Sequence, residues 1–168
     1  MPRSTTESAP ATLAYVGLGA NLGEPDATLR AAVRALAALP DSAVLACSSF
    51  YRSAPIDATG PDYLNAVLRL ETRLAPHALL AALQRIEAQA GRRRAAANAA
   101  RTLDLDIIAM GGLVRAGPDP VLPHPRAHLR AFVLAPMAEV APDWVHPLLG
   151  RRAAAMLAEL SGQRIDAI

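Results

Sequence analysis

The stretch LNAVLRLET, residues 64–72, alternates unusually cleanly, with Leu64, Ala66, Leu68 and Leu70 on one face and Asn65, Arg69 and Glu71 on the other. That period of two predicts a half-buried strand. Its neighbour AVLACSSFYR, residues 43–52, also reads as a strand, with only the turn-rich APIDATGPD between them. Two strands in succession restrict the fold more than any other feature, because a parallel pair would need a crossover helix. Upstream, TLAYVGL at 12–18 predicts a strand and DATLRAAVRALAAL a helix that stops at Pro40 and Asp41. Downstream, Pro76 opens a helix to about Ala90, and RTLDLDIIA at 101–109 supplies a fourth strand. After the Gly111–Gly112 turn, LVRA is expected to return as its hairpin partner.

The order strand, helix, strand, strand, helix, strand predicts an α+β, ferredoxin-like βαββαβ core, an antiparallel sheet with helices packed on one face. GPDPVLPHPRAHLR is expected to be irregular, and AFVLAPMAEVAP and LLGRRAAAMLAEL to form a helical C-terminal extension. Residues 1–10 read as a disordered tail, and residues 11–168 as a single domain. GLGANLG at 17–23 follows a strand and precedes a helix, but its GxGxxxG spacing is not the dinucleotide fingerprint. It is read mainly as a turn.

Composition narrows the chemistry. All 17 basic side chains are arginine. Without lysine there is neither an ordinary Schiff-base enzyme nor a Walker A loop. One cysteine, Cys47, excludes an intramolecular disulfide framework and fits a reducing cytoplasm. No apolar run approaches the roughly 18 residues of a membrane span, and the N-terminus has no apolar leader, so a cytoplasmic protein with no membrane partner is expected.

In the fourth strand Leu103, Leu105 and Ile107 point one way and Asp104 and Asp106 the other. Two unneutralised carboxylates about 6 Å apart repel by roughly 3 kcal/mol at an effective dielectric near 20. A divalent cation or an arginine removes that penalty; a solvated face with ion pairs is the competing account, and the DxD alone does not choose between them. Arg92, Arg93, Arg94 and Arg101 lie within ten positions without an acid among them, and the preceding helix carries Gln84 and Glu87. Carboxylates for magnesium beside guanidiniums for phosphate are the parts needed for phosphoryl transfer. Magnesium is favoured over zinc because the candidate ligands are hard oxygens. His124 and His128 lie among Arg126 and Arg130, where His124 suits a phosphate contact, whereas His77 and His146 have no evident partner. Tyr63 and Phe132 are candidates for the core or for stacking on a planar ligand.

FYRSAPI, PDYLNA, QRIEAQAGRRR, RTLDLDII and LPHPRAHLRAF, in this order and spacing, resemble the 6-hydroxymethyl-7,8-dihydropterin pyrophosphokinase family of folate biosynthesis from about Ala14 to Pro142. The resemblance implies a ferredoxin-like fold and transfer of the terminal diphosphate of ATP to the pterin hydroxymethyl group, with release of AMP. It further implies that Asp104 and Asp106 hold two magnesium ions and that Arg92 and Arg101 are catalytic loop arginines. Gln84, Glu87, Arg94, Ile107, His124 and Arg130 match positions lining the ATP site. Tyr63 and Phe132 match the aromatics that sandwich the pterin, Asn65 the amide at its edge, and Ser53 and Ile56 the positions whose backbone completes that edge. Residues 17–24, 53–62 and 91–101 would be mobile lids, and a monomer is expected.

Departures from the family pattern concentrate in the lid and the nucleotide contacts. Ala99 stands where many members have tryptophan, Pro125 where a tyrosine follows the PH pair, and Asp119 and Val121 where Arg and Thr are frequent. Three competing accounts remain open: a paralogue acting on another pterin, a non-catalytic ligand-binding module, and an RNA-binding ferredoxin-like module. The last lacks the aromatic-rich strand pattern that RNA-binding sheets use, so no nucleic-acid partner is expected.

Overall fold

The computed structural model describes residues 10–55, 60–92 and 103–168, with the side chain of Arg92 excluded. The expectations for the tail over residues 1–9, for Ile56, Arg94, Ala99 and Arg101, and for the Arg92 side chain therefore lie outside the described residues.

The elements are β1 (Thr12–Ala20), α1 (Pro25–Ala37), β2 (Ser42–Cys47), β3 (Tyr51–Ser53), β4 (Tyr63–Thr72), α2 (Pro76–Arg92), β5 (Asp104–Met110), α3 (Ala131–Val140), α4 (Ala153–Leu157) and β6 (Ile165–Ala167). The strands form one sheet in the order β5-β1-β4-β3-β6, with β2 also paired to β4. Every pairing is antiparallel.

The single strand expected over 43–52 is divided into β2 and β3. Ser48 causes the break: 5% exposed, it donates its N–H to the Val67 carbonyl at 2.9 Å and accepts the Val67 N–H on its hydroxyl, also at 2.9 Å. A side-chain oxygen thus replaces a ladder carbonyl, and the chain changes course without leaving a buried amide unpaired.

Leu29 and Leu36 of α1 and Leu79 and Leu83 of α2 pack on one face of the sheet against Val16, Leu68, Leu70 and Leu105. The opposite face is not left open, although the sequence alone assigns the tail helices to no face. There Leu134 and Met137 of α3 pack on Tyr15, Val67 and Ile108. The reason is in α3 itself: Ala131, Val133, Leu134, Pro136, Met137 and Val140 are all buried, and Glu139 is its one charged side chain.

Three further expectations are corrected. Gly17–Ala20 do not form a loop but complete β1, paired with both β4 and β5. LVRA does not pair with β5; Arg115 instead exchanges backbone hydrogen bonds of 2.8 and 2.9 Å with Leu122, and its guanidinium donates to the carbonyls of Pro118 and Pro120. Prolines supply no N–H, so a side-chain donor serves that turn. The tail is not purely helical, since β6 adds a strand beside β3. Among the described residues no helix is long and apolar enough to cross a membrane.

Glu139 ties α3 to the strand break. Its carboxylate accepts the Ser49 N–H at 2.9 and 3.0 Å, the Ser49 hydroxyl at 2.7 Å and the Tyr51 hydroxyl at 2.9 Å. Burial pushes this carboxyl up, but the bonds from Ser49 and Tyr51 outweigh it and hold it below the ordinary value of 4.5. Burial and the same carboxylate push the Tyr51 hydroxyl up to about 12. A depressed folded-state value means that the stabilisation is complete above the unfolded value and lost as pH falls through the folded one. Glu139→Gln is expected to lower stability at pH 7 by about 1 kcal/mol, a figure kept small by solvent screening. The gap between wild type and variant should close as pH falls below the ordinary carboxyl value of 4.5 in urea titrations; a gap independent of pH would contradict this account.

Candidate active site

Beyond the N-terminal end of α3, the second face of the sheet opens into a cleft of about 680 Å³. Strand pairing builds its floor. Asp104 lies opposite Gly19 and Asp106 opposite Gly17 across the β5–β1 ladder, and Gly19 lies opposite Asn65 across β1–β4. Cross-strand partners share a face, so two carboxylates, two glycines and an amide look into one space. The glycines keep that space open. A Cβ on Gly19 would sit 3.1 Å from the Asn65 side-chain nitrogen, and one on Gly17 would sit 3.3 Å from Ile108.

A bulge shapes the Asp104–Asp106 edge. The β1–β5 register shifts so that Ile108 is the extra residue on β5 between Ile107 and Ala109. Its carbonyl accepts the His124 N–H at 2.8 Å, which brings the proline-rich segment alongside the aspartates. His124 accepts the Arg126 N–H on Nδ1 at 3.1 Å, so its other nitrogen carries the proton in the neutral ring. Burial holds this imidazole below its ordinary value against the pull of Asp106, and Arg130 and Arg126 act with burial.

From the helix side, Glu87 of α2 accepts the Leu105 N–H at 3.0 Å, fixing the end of α2 to the residue between the two aspartates. On the far wall the Ser53 hydroxyl donates to the Asn65 Oδ1 at 2.6 Å, and both residues are buried. This orients the Asn65 amide with its nitrogen toward Gly19 and the cleft floor. The Arg130 guanidinium carbon stands 5.5 Å from the centre of the Phe132 ring, within cation–π range.

The structure therefore brings together Ser53, Tyr63, Asn65, Glu87, Asp104, Asp106, His124, Arg130 and Phe132 around one cleft. It does not bring Gln84 or Ile107 to it. Gln84 is exposed on α2, and Ile107 is 4% exposed within the core under α1 and α2. Strand alternation makes the latter unavoidable, since Ile107 follows a cleft-facing residue. Arg126, Leu129 and Gln163 line the cleft without having been singled out for it. Arg126 carried a signal in the donor-rich PHPRAHLRAF; Gln163 carried none, lying in a tail with no motif. His77 is exposed, and His146 is buried, with Nδ1 accepting the Leu148 and Leu149 N–H groups.

Asp104 and Asp106 fit magnesium by donor type, as hard carboxylate oxygens on one wall of a cleft. Among the described residues no three acidic, histidine or cysteine side chains gather into a metal cage. A pair of carboxylates suits an ion whose remaining ligands are water and phosphate.

The model of the 7,8-dihydro-6-hydroxymethylpterin-pyrophosphokinase family matches residues 15–142. The 2-amino-4-hydroxy-6-hydroxymethyldihydropteridine pyrophosphokinase of Haemophilus influenzae is 43% identical over 135 residues, covering 80% of this chain and 84% of its own. The Pseudomonas aeruginosa protein of the same name is 45% identical over 130 residues, covering 77% of this chain and 80% of its own. Among solved structures, Plasmodium falciparum HPPK-DHPS superposes with a TM-score of 0.73 at 11% identity, over 92% of this chain and 44% of that longer one, a likeness of fold.

Proposed function

The chain belongs to the 7,8-dihydro-6-hydroxymethylpterin-pyrophosphokinase family and is an ATP-dependent pyrophosphokinase of folate biosynthesis, and from that premise we propose how its residues carry the reaction. The diphosphate of ATP passes to the hydroxymethyl oxygen of 6-hydroxymethyl-7,8-dihydropterin: the oxygen bonds to the β-phosphorus, the bond from that phosphorus to the AMP oxygen breaks, and the hydroxyl proton is released. The observation that carries this reading is the convergence of Asp104 and Asp106 with His124, Arg126 and Arg130 on one side and Asn65, Tyr63 and Phe132 on the other, in one cleft. Charged groups for phosphate face an aromatic and amide subsite for a flat heterocycle.

Asp104 and Asp106 would hold magnesium, two ions in this reading, and what its binding supplies there is neutralisation of phosphate charge and alignment of the β-phosphorus. Arg130, Arg126 and the protonated nitrogen of His124 bind phosphate oxygens, while Arg92 and Arg101 neutralise the charge that grows as the AMP oxygen departs. Gln84, Glu87, Arg94 and Ile107 belong to the ATP side of the proposal, Ile107 through its backbone. Tyr63 and Phe132 sandwich the pterin, and Asn65, held by Ser53, bonds its polar edge, with backbone groups of Ser53 and Ile56 beside it. Closure of the site over the substrates excludes water that would hydrolyse ATP.

The strand order supports a ferredoxin-like core, the second strand being split into β2 and β3, with α3, α4 and β6 as the C-terminal extension. Residues 11–168 act as one pyrophosphokinase domain, a cytoplasmic monomer with no membrane or nucleic-acid partner. The decisive experiment is AMP release from MgATP with 6-hydroxymethyl-7,8-dihydropterin: AMP should appear only when the pterin is present and should cease when EDTA removes the magnesium. AMP release indifferent to the pterin would reject the proposal.

A further inference from the structure

Residue 163 lies beyond the stretch that matches the family model, which ends at residue 142. Its side chain nevertheless lines the cleft. Gln163 Oε1 accepts the Ala131 N–H at 2.8 Å, and its Nε2 donates to the Leu129 carbonyl, also at 2.8 Å. These two bonds bracket Arg130. Arg130 is the N-cap of α3, in an extended conformation with φ −123 and ψ 110, and no side chain of its own caps the helix. The first amide of α3 is one that the helix cannot satisfy, and Gln163 satisfies it from 32 residues away.

Just past Gln163 the chain joins the opposite wall. Ile165 pairs with Ser53, Asp166 with Arg52 and Ala167 with Tyr51, and the Ile168 N–H donates to the Phe50 carbonyl at 2.9 Å. Ser53 in turn holds Asn65. Residues 163–168 are therefore a strap whose one end grips the junction carrying Arg130 and Phe132 and whose other end is a strand beside Ser53.

We propose that Gln163 is a positioning residue for diphosphate transfer, fixing Arg130 and Phe132 relative to the Ser53–Asn65 wall and so setting the gap that receives the pterin. This inference rests on the substrate assignment made above. Gln163 need not touch the reacting atoms; it acts through the backbone on either side of Arg130. Losing it leaves the Ala131 N–H and the Leu129 carbonyl without that partner and loosens the backbone on either side of Arg130, whose own N–H and carbonyl stay bonded to Ala127 and to Val133 and Leu134. The loss falls on binding rather than on the bond-making step, because the charged groups on β5 are untouched.

The test compares Gln163→Ala, Gln163→Glu and Arg164→Ala in the full chain by steady-state AMP release and thermal unfolding. Arg164 is exposed and pairs with the neighbouring Asp166 at 3.2 Å, which makes it the control within the same strap. Gln163→Ala should raise KM for both substrates about tenfold while kcat changes less than about threefold. Gln163→Glu keeps an acceptor for the Ala131 N–H and adds a carboxylate near Arg130. It should recover most of the pterin KM but not the ATP KM, a split that a merely structural role would not produce. Arg164→Ala should match wild type in all constants.

Unchanged KM values in both Gln163 variants, with only a lower unfolding temperature, would overturn the inference while leaving the activity assignment intact. If Gln163→Ala does not fold, Gln163→Leu, which removes both bonds at similar volume, decides instead: wild-type KM values for both substrates overturn the inference, and a raised pterin KM supports it. A wild-type protein that releases no AMP overturns the activity assignment and this inference with it.

Discussion

Asp106→Asn should lower pterin-dependent AMP release by at least about 10³-fold, the order lost when a preorganised group that stabilises transition-state charge is removed. The side chains are nearly isosteric, so the fold has little reason to change. Asp106 is exposed in the cleft rather than packed, and its neighbours Leu105 and Ile107 carry the burial of β5. On the proposed mechanism, what changes is one negative charge on the cleft wall, and with it the affinity for magnesium. Asp104→Asn should act in the same direction, and the magnesium concentration for half-maximal rate should rise in both variants. Free-pterin binding measured by its fluorescence should shift little, because Tyr63, Asn65 and Phe132 are unaltered. Near-normal rates in the Asp104→Asn, Asp106→Asn double variant would remove the aspartates from the mechanism.

Met137→Ala should destabilise the protein by about 2–5 kcal/mol, the range for truncating a fully buried large side chain. Met137 is 0% exposed and packs with Val67 and Ile108 on the second face of the sheet. A domain of ordinary stability holds only about 5–15 kcal/mol in reserve, so the loss is a large fraction of the total. Urea unfolding at 25 °C reads it directly. Since α3 carries Phe132 in its first turn, residual activity at temperatures where the variant remains folded should show a raised pterin KM. A loss below about 1 kcal/mol would mean that α3 is only loosely held and that the second face is not a true core.

How far the sequence could be read depended on whether the deciding interaction was local. Alternation along residues 103–107 separated the core face from the cleft face, because successive strand residues must point in opposite directions, whereas along 63–72 it found the first core face but not the burial of the other, where Asn65 and Val67 are also covered. The same local logic failed at GLGANLG. Glycines after a short apolar run look like a turn, yet Gly17 and Gly19 lie within β1, paired on both sides, where a side chain would crowd Ile108 or Asn65. That crowding exists only once β4 and β5 flank β1. Ile107 was placed at the nucleotide by resemblance, and the alternation that made Asp106 face the cleft also turned the Ile107 side chain away.

By itself the sequence determined the strand and helix order, the shared face of Asp104 and Asp106, and, through its motifs, the family. Those are consequences of spacing along the chain, and spacing is what a sequence displays. The tertiary structure alone decided which walls meet. Glu139 reaches Ser49 across 90 residues, and Gln163 reaches Leu129 across 34. The apolar tail helix could have packed anywhere a hydrophobic face was free, since burial is non-directional. Only the sheet, by offering Tyr15, Val67 and Ile108 beside an open row of glycines, determined that α3 should close one end of that face and leave the other as the cleft.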